Sequence, residues 1–128
     1  MKKNCTAIDC FLLVVDDDQG VIDVTQLVLE DFTFRDRSLR ILVANSSKHA
    51  RELIEMESDI ALSIIDVVME TEHAGLDLVR HIRNNLHNHD MRIALRTGNP
   101  GTAPSLEIMR HMEIDDYKEK TELTADRL

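Results

Sequence analysis

The sequence contains no tryptophan and few other aromatic residues, with one tyrosine and three phenylalanines among 128 residues. A core built from this chain must therefore be aliphatic. Cysteine is equally scarce, and Cys5 and Cys10 are accompanied by no further Cys and no matching His cluster, so we expect neither a disulfide nor a metal site there. Neither is needed, because a chain of this length buries well over half of its unfolded surface on folding.

Positive charge is also in short supply, since 15 Lys and Arg residues stand against 24 Asp and Glu residues. The resulting net charge of -9 repels phosphate backbones, so we expect this domain to bind no nucleic acid. No apolar run approaches the roughly 20 residues of a membrane span. The run that follows the N-terminal lysines is too short for a signal peptide. These absences predict a cytoplasmic protein with no membrane contact.

Apolar runs alternate with segments of helical periodicity along the chain. Continuous apolar runs indicate strands buried on both faces, as in parallel sheets. They lie at 11–15, 39–44, 59–66, 91–98 and 113–117. Helical spacing recurs between them, in sets that comprise Val21, Val24, Leu27 and Val28, then Ala50, Leu53 and Ile54, then Leu76, Leu78, Val79, Ile82 and Leu86.

This alternation predicts a single α/β domain over residues 1–128, with a doubly wound five-stranded parallel sheet and helices on both faces. The expected fold is flavodoxin-like, with strand order 2-1-3-4-5. A fourth helix is expected at 105–112. A last helix begins near Lys118 and is cut short at Leu128, so we expect the chain to be a fragment of a longer protein.

Polar side chains stand where the predicted strands end. Asp16 and Asp17 follow the first strand, Asp66 ends the third, Thr97 ends the fourth, and Lys120 follows the fifth. In open α/β sheets, ligands bind beyond the carboxyl ends of the strands, where the strand order reverses. The first and third strands are neighbours at that point, so the three carboxylates are expected in one crevice.

Three carboxylates at ~4–6 Å repel one another or recruit a cation. At an effective dielectric of about 20, each like-charge pair about 4 Å apart costs on the order of 4 kcal/mol. A hard divalent ion, Mg²⁺ or Mn²⁺, relieves this repulsion. A lysine and a threonine across the same crevice suit a phosphoryl group. One carboxylate could then act as a nucleophile and form an aspartyl-phosphate.

The motifs LLVVDDD, SIIDVVM, LRTG and DDYKEK resemble, in this order and along the whole chain, the receiver domain of response regulators in two-component signalling. The resemblance implies that Asp66 accepts a phosphoryl group from a histidine kinase or phosphotransfer protein. It implies Mg²⁺ ligation by Asp17, Asp16, Asp66 and the backbone carbonyl of Val68.

The same resemblance implies roles for four residues around the phosphoryl group. Thr97 matches the switch hydroxyl and Tyr117 the switch aromatic residue. Gly98 allows its N–H to approach the phosphate, and Lys120 pairs with it. Such a domain is a self-phosphorylating switch rather than a free-standing enzyme. Its readout would be the face of the fourth helix and fifth strand, contacting an output domain or a second copy of the chain.

The sequence departs from the receiver pattern at two prolines. Glu70 stands where receivers usually carry proline, and the loop to Gly75 is slightly longer. Thr121 follows Lys120 where proline is usual. The segments LRTGNPGTAP and IDDYKEKTELT also resemble a receiver subgroup that precedes an HD-type phosphohydrolase degrading cyclic dinucleotides. Such an enzyme is therefore the expected output domain.

Several alternatives stay open. Asp16 and Asp18 mimic the D-x-D signature of a small aspartate-nucleophile phosphatase, although Asp18 is also a suitable helix cap. A pseudo-receiver that binds a partner without phosphorylation is a further possibility. Lys118 could replace Lys120 as the phosphate partner. His87 and His89 could chelate a metal weakly, although their polar surroundings favour an exposed helix end.

Overall fold

The computed structural model describes residues 9–29, 33–34, 37–57, 59–69, 71, 73–98 and 104–119. The strands are β1 (Asp9–Val15), β2 (Thr33–Phe34), β3 (Arg37–Ala44), β4 (Ile60–Asp66), β5 (Arg92–Thr97) and β6 (Asp116–Glu119). The helices are α1 (Gln19–Leu29), α2 (Ser47–Met56), α3 (Ala74–Arg80) and α4 (Leu106–His111). None of the helices in these ranges is long and apolar enough to cross a membrane.

The strands form one sheet in the order β2-β3-β1-β4-β5-β6. The five strands β3, β1, β4, β5 and β6 run parallel, which confirms the predicted flavodoxin-like order 2-1-3-4-5. The two-residue strand β2 pairs antiparallel with β3 at the edge and was not predicted. It is too short to show an alternating pattern.

The apolar run of β1 is explained by burial on both faces of the sheet. Leu12 and Val14 pack with α1 on one face, and Leu13 and Val15 pack with α2 and α3 on the other. We call these the α1 face and the α2–α3 face. The four side chains are at most 3% exposed, so neither face of this central strand tolerates a charge until the strand ends at Val15.

The prediction for the buried stripe of α1 was wrong. Its buried residues are Ile22, Thr25 and Leu29, whereas Val24 and Leu27 are 49% and 70% exposed. The prediction failed because Thr25, a polar residue, belongs to the buried stripe. Its hydroxyl is hydrogen-bonded inside the protein, to the Val21 carbonyl and to Arg96. By contrast, the predicted face of α2 is confirmed, with Ala50 and Ile54 buried.

The third helix is not uniform. After α3, the backbone continues as a π-helical turn over His81–Asn85, and His87, two residues past its end, has a φ of 54°. Leu76, Leu78, Val79 and Ile82 are buried as predicted, whereas Leu86 lies beyond the turn and is exposed. The periodic pattern predicts the buried face correctly but contains no sign of the wider turn.

Strand β6 begins later than the predicted start at residue 113. Glu113 has a φ of 54° and closes α4, because its N–H donates to the Arg110 carbonyl and the Ile114 N–H donates to the Met109 carbonyl. This is the Schellman arrangement, in which a left-handed residue ends a helix. The buried Arg83 side chain donates to the carbonyls of Met112 and Glu113 and fixes the turn.

Candidate functional site

Three carboxylates meet at the carboxyl ends of β1 and β4. Asp16, Asp17 and Asp66 each offer an oxygen, and these atoms lie within 4.8 Å of one another. The strands hold them there, since Val15 is paired with Ile65 in the sheet. Asp16 and Asp66 are buried and Asp17 is exposed, so this group has one open side.

The donor set fits a hard divalent cation. Mg²⁺ prefers oxygen ligands and binds through a small number of carboxylates while keeping several waters. Here, two carboxylates are enclosed by protein, and the exposed one faces solvent. The Val68 residue, half-buried, lies two positions after Asp66 on the chain that leaves β4. These residues could therefore hold the ion that the resemblance implies.

Asp18 does not belong to this group. Its Oδ1 accepts hydrogen bonds from the backbone N–H of Gly20 at 2.9 Å and of Val21 at 3.3 Å. These are two of the N–H groups that open α1 and have no partner within the helix. Asp18 is thus the N-cap of α1, one of the two roles considered from the sequence. Because its carboxylate is bound to the start of the helix, an Asp16-x-Asp18 phosphatase site is disfavoured.

The predicted switch residues lie on neighbouring strands. Thr97 is the last residue of β5 and is 1% exposed, and Gly98 follows it at the surface. Tyr117 on β6 pairs with Leu95 and is half-buried against the α2–α3 face. Lys118, the alternative phosphate partner, has its Nζ 3.9 Å from Asp116 Oδ2.

Some predicted features lie outside the described residues. They are Lys120, the bond between Lys120 and Thr121, Glu70 in the lengthened loop, and the last helix beyond Glu119. The same holds for Cys5 and for the side chain of Cys10. The predicted start of the last helix near Lys118 was wrong, because Lys118 and Glu119 belong to β6.

The sequence reasoning missed Arg96, the residue that precedes Thr97. Its side chain is 2% exposed and lies on the α1 face. Its Nη1 donates to Thr25 Oγ1 at 2.8 Å, and its Nη2 lies 3.5 Å from Asp16 Oδ2. The available signal was an arginine near the end of an otherwise largely apolar strand, because a buried guanidinium needs a counter-ion.

Burial is the largest influence on this arginine and lowers the pKa of the Arg96 guanidinium below its ordinary value. The negative charges of Asp16 and Asp66 act in the opposite direction and favour the charged form. Arginine stays protonated in proteins even so, because its ordinary pKa is far above neutrality. The acidic group therefore has a permanent positive charge beside it.

Gly75 was not recognised as essential either. A Cβ at this position would lie 2.1 Å from the Asp66 carbonyl oxygen and 2.8 Å from Val67 Cα. The Gly75 N–H also donates to the Val67 carbonyl at 2.9 Å. The first turn of α3 thus presses directly on the backbone that carries Asp66.

The histidines do not form a metal site within the described part of the chain. His89 Nδ1 lies 2.7 Å from Glu113 Oε1. The two residues precede β5 and β6, so they lie near the amino ends of these strands, whereas the three acids lie at carboxyl ends. His73 is exposed, and its backbone N–H donates to Thr71 Oγ1. Among the described residues, the cluster of side chains that could hold a metal ion comprises Asp16, Asp17 and Asp66.

Comparison with known proteins supports the fold assignment. No protein-family model matches the chain. A response regulator receiver protein from Pseudomonas putida superposes with a TM-score of 0.68 at 26% identity, over 91% of this chain and 89% of that one. This chain therefore has the fold of a response-regulator receiver domain. The resemblance drawn from the motifs is thereby confirmed for the fold.

The chain is also similar to two further proteins. The signal receiver domain of an HD domain-containing protein from Pseudomonas fluorescens superposes with a TM-score of 0.66 at 20% identity, over 87% of this chain and 82% of that one. The "3'3'-cGAMP-specific phosphodiesterase 2" of Vibrio cholerae is 51% identical over 117 residues, or 91% of this chain. The match spans 22% of that protein.

Proposed function

We propose that this receiver domain is a phosphoacceptor and that Asp66 takes a phosphoryl group from a histidine kinase or phosphotransfer protein. One observation carries the proposal, namely the approach of Asp66 to Asp16 and Asp17 to within 4.8 Å at the ends of neighbouring strands. Buried Thr97 at the end of the next strand supports it.

In the transfer, a carboxylate oxygen of Asp66 forms a bond to phosphorus while the bond from phosphorus to the donor histidine nitrogen breaks. The electron pair of the broken bond stays on the donor imidazole. Asp16, Asp17, Asp66 and the Val68 carbonyl would hold Mg²⁺ or Mn²⁺, which supplies charge neutralisation to the phosphoryl oxygens. Thr97 would donate its hydroxyl, Gly98 its N–H and Lys120 its ammonium to the same oxygens.

Phosphorylation would shift an existing equilibrium between two conformations. Thr97 would move toward the phosphoryl group, and Tyr117 would repack in the space beside it. The affected surface comprises α4 and β6, where Leu106 is 77% exposed. This surface would contact the output domain or a second copy of the chain as a homodimer. The domain itself would turn over no free substrate.

The output domain is proposed from the relatives. A protein 51% identical to this chain is a cyclic-dinucleotide phosphodiesterase by name, and the chain spans 22% of it. We propose that this receiver is one domain of a longer cytoplasmic protein with an HD-type phosphohydrolase. The test is to measure the phosphodiesterase activity of the proposed longer protein with and without a phosphodonor. We expect the donor to change that activity, and an Asp66→Asn variant should not respond to the donor.

Phosphorylation of Asp66 is tested by incubating the chain with MgCl₂ and acetyl phosphate and recording the intact mass. We expect a mass gain of one phosphoryl group that maps to Asp66. It should vanish in Asp66→Asn and persist in Asp18→Asn, a matched change at the helix cap. Chelation with EDTA should abolish it.

Three outcomes contradict the proposal. A phosphoryl group on Asp16, or continuous phosphate release from excess donor, would favour the phosphatase. The absence of an adduct with acetyl phosphate, phosphoramidate and a phosphorylated histidine protein would favour a binding module that is never phosphorylated.

A further inference from the structure

The buried charge next to the acidic group has no part in the function proposed above. Arg96 is enclosed on the α1 face, and its register partner in the sheet is Asp66. Its guanidinium reaches past β4 to Asp16 at the end of β1. One positive charge of the protein therefore lies beside the carboxylates expected to bind Mg²⁺.

This guanidinium is held in place from α1. Thr25 Oγ1 accepts from Arg96 Nη1 at 2.8 Å and donates its own proton to the Val21 carbonyl at 2.8 Å. The threonine hydroxyl thus uses both its donor and its acceptor capacity in one chain of hydrogen bonds. The position of the positive charge is fixed by the helix rather than by the carboxylates alone.

We propose that Arg96 is a built-in counter-ion of the acidic site, which keeps the metal-free domain folded and lowers its affinity for Mg²⁺. The inference rests on the proposed function, because it assumes that this site binds the ion. Clustered carboxylates that lack a cation repel one another. Arg96 relieves part of that repulsion before any metal arrives, and less negative charge is left to attract the metal.

Arg96 could instead increase the affinity by orienting Asp16, and the distances decide between the two effects. Asp16 Oδ1 accepts from the Asp18 N–H at 2.9 Å, within the ordinary hydrogen-bond range. The contact from Arg96 to Asp16 Oδ2 is longer, at 3.5 Å. Loss of Arg96 would therefore leave the orienting hydrogen bond in place and remove the charge. The electrostatic effect should dominate.

The test is a calorimetric titration with MgCl₂ of the wild-type chain and its Arg96→Met variant. Methionine keeps much of the apolar stem and loses the charge. We expect the variant to bind Mg²⁺ at least about tenfold more tightly, which corresponds to about 1.4 kcal/mol. Its thermal midpoint should also rise more than that of wild type when EDTA is replaced by MgCl₂, because tighter binding stabilises the folded state more.

Two further variants test whether the effect on Mg²⁺ affinity comes from the charge at position 96. One changes the shape of that side chain but keeps its charge, and the other changes the net charge of the protein elsewhere. Arg96→Lys retains the positive charge, so its Mg²⁺ affinity should stay close to that of wild type. Arg92→Met makes the same change in net charge on the same strand, at a side chain that is 74% exposed. It should leave Mg²⁺ affinity unchanged.

The outcomes are distinguishable. Equal or weaker Mg²⁺ binding by Arg96→Met, with wild-type binding intact, overturns the role of Arg96 and leaves the proposed function standing. A wild-type chain that binds no Mg²⁺ overturns the proposed metal site and this inference with it. Folding of Arg96→Met in MgCl₂ but not in EDTA supports the inference. If Arg96→Met folds neither in MgCl₂ nor in EDTA, Arg96→Gln replaces it in the same titration, since glutamine retains a donor for Thr25 without the charge. Tighter Mg²⁺ binding by Arg96→Gln than by wild type then supports the inference, and equal or weaker binding overturns it.

Discussion

Gly75 and Asp66 are in direct backbone contact, and the space between them excludes any side chain. A Cβ on Gly75 would lie 2.1 Å from the Asp66 carbonyl oxygen. Backbone cannot rotate away as a side chain can, so α3 or the end of β4 has to move when residue 75 is larger. The position of the proposed phosphoacceptor therefore depends on a glycine nine residues further along the chain.

We predict that Gly75→Ala destabilises the domain by about 1–3 kcal/mol, the range typical of overpacking in a dense core. Chemical denaturation measures this directly. Gly20→Ala is the matched control, because its Cβ would meet only Asp18 Oδ1, at 3.3 Å, on the exposed start of α1. We expect a change near zero there. Equal effects of the two variants would contradict the packing argument.

The hydroxyl of Thr25 should matter for stability as much as an apolar core residue. Thr25→Val removes the acceptor for Arg96 Nη1 and leaves a buried charged donor without this partner. We expect a loss of about 2 kcal/mol in the free energy of unfolding, since hydrogen bonds to charged groups contribute about 1.5–3 kcal/mol.

Thr25→Ser is the control for that experiment. Serine keeps the hydroxyl and loses one methyl group, so it should cost clearly less than valine, which keeps the volume and loses the hydrogen bond. If valine is the better tolerated of the two, packing rather than hydrogen bonding is the main role of Thr25. Urea unfolding of both variants gives the comparison.

The sheet and the acidic group were predictable because their signals are local. Strands β1 and β4 are largely apolar runs, and the acids stand where these runs end, so the order of the sheet brings Asp16 and Asp66 together. The order of the receiver-like motifs along the chain indicates the same residues. Neither inference requires knowledge of how side chains pack between elements.

Arg96, Thr25 and Gly75 could not be predicted in the same way, because each depends on contact between distant segments. The Arg96–Thr25 pair joins residues 71 positions apart, and a threonine on α1 conceals the buried stripe from a search for apolar periodicity. The start of β6 was missed because Glu113 adopts a left-handed conformation that most residues avoid. No local pattern marks such a residue.

Adjacent acids at the end of β1 should have separable roles. Asp18→Ala removes the cap of α1 and should cost about 1 kcal/mol of stability, with Mg²⁺ affinity preserved. Asp17→Ala should weaken Mg²⁺ binding and leave stability nearly unchanged, because the exposed Asp17 belongs to the group of three carboxylates and does not cap the helix. Denaturation in EDTA and titration with MgCl₂ measure the two effects. Loss of Mg²⁺ binding in Asp18→Ala would count against the assignment.

Glycine would suit the backbone two residues beyond the π-helical turn better than the histidine found there. His87 is exposed and has a φ of 54°, a conformation that costs non-glycine residues roughly 1–2 kcal/mol. We expect His87→Gly to stabilise the domain by about 0.5–1 kcal/mol after the entropic cost of glycine. Asn84→Gly, on the exposed side of the turn, should destabilise it by about 0.3 kcal/mol, the difference in helix propensity between asparagine and glycine. Destabilisation by both would refute the strain argument.

Glu113 should make stability depend on acid pH through its contact with His89. The hydrogen bond from His89 is the largest of the effects that lower the pKa of the Glu113 carboxyl. A lowered pKa means that this contribution is present above the ordinary pKa of glutamate and is lost as the pH falls through the lowered value. We expect His89→Gln to raise the pKa of Glu113 toward its ordinary value, as measured by NMR titration. His87→Gln, in the same exposed segment, should leave it unchanged, and an equal shift in both variants would exclude the hydrogen bond as the cause.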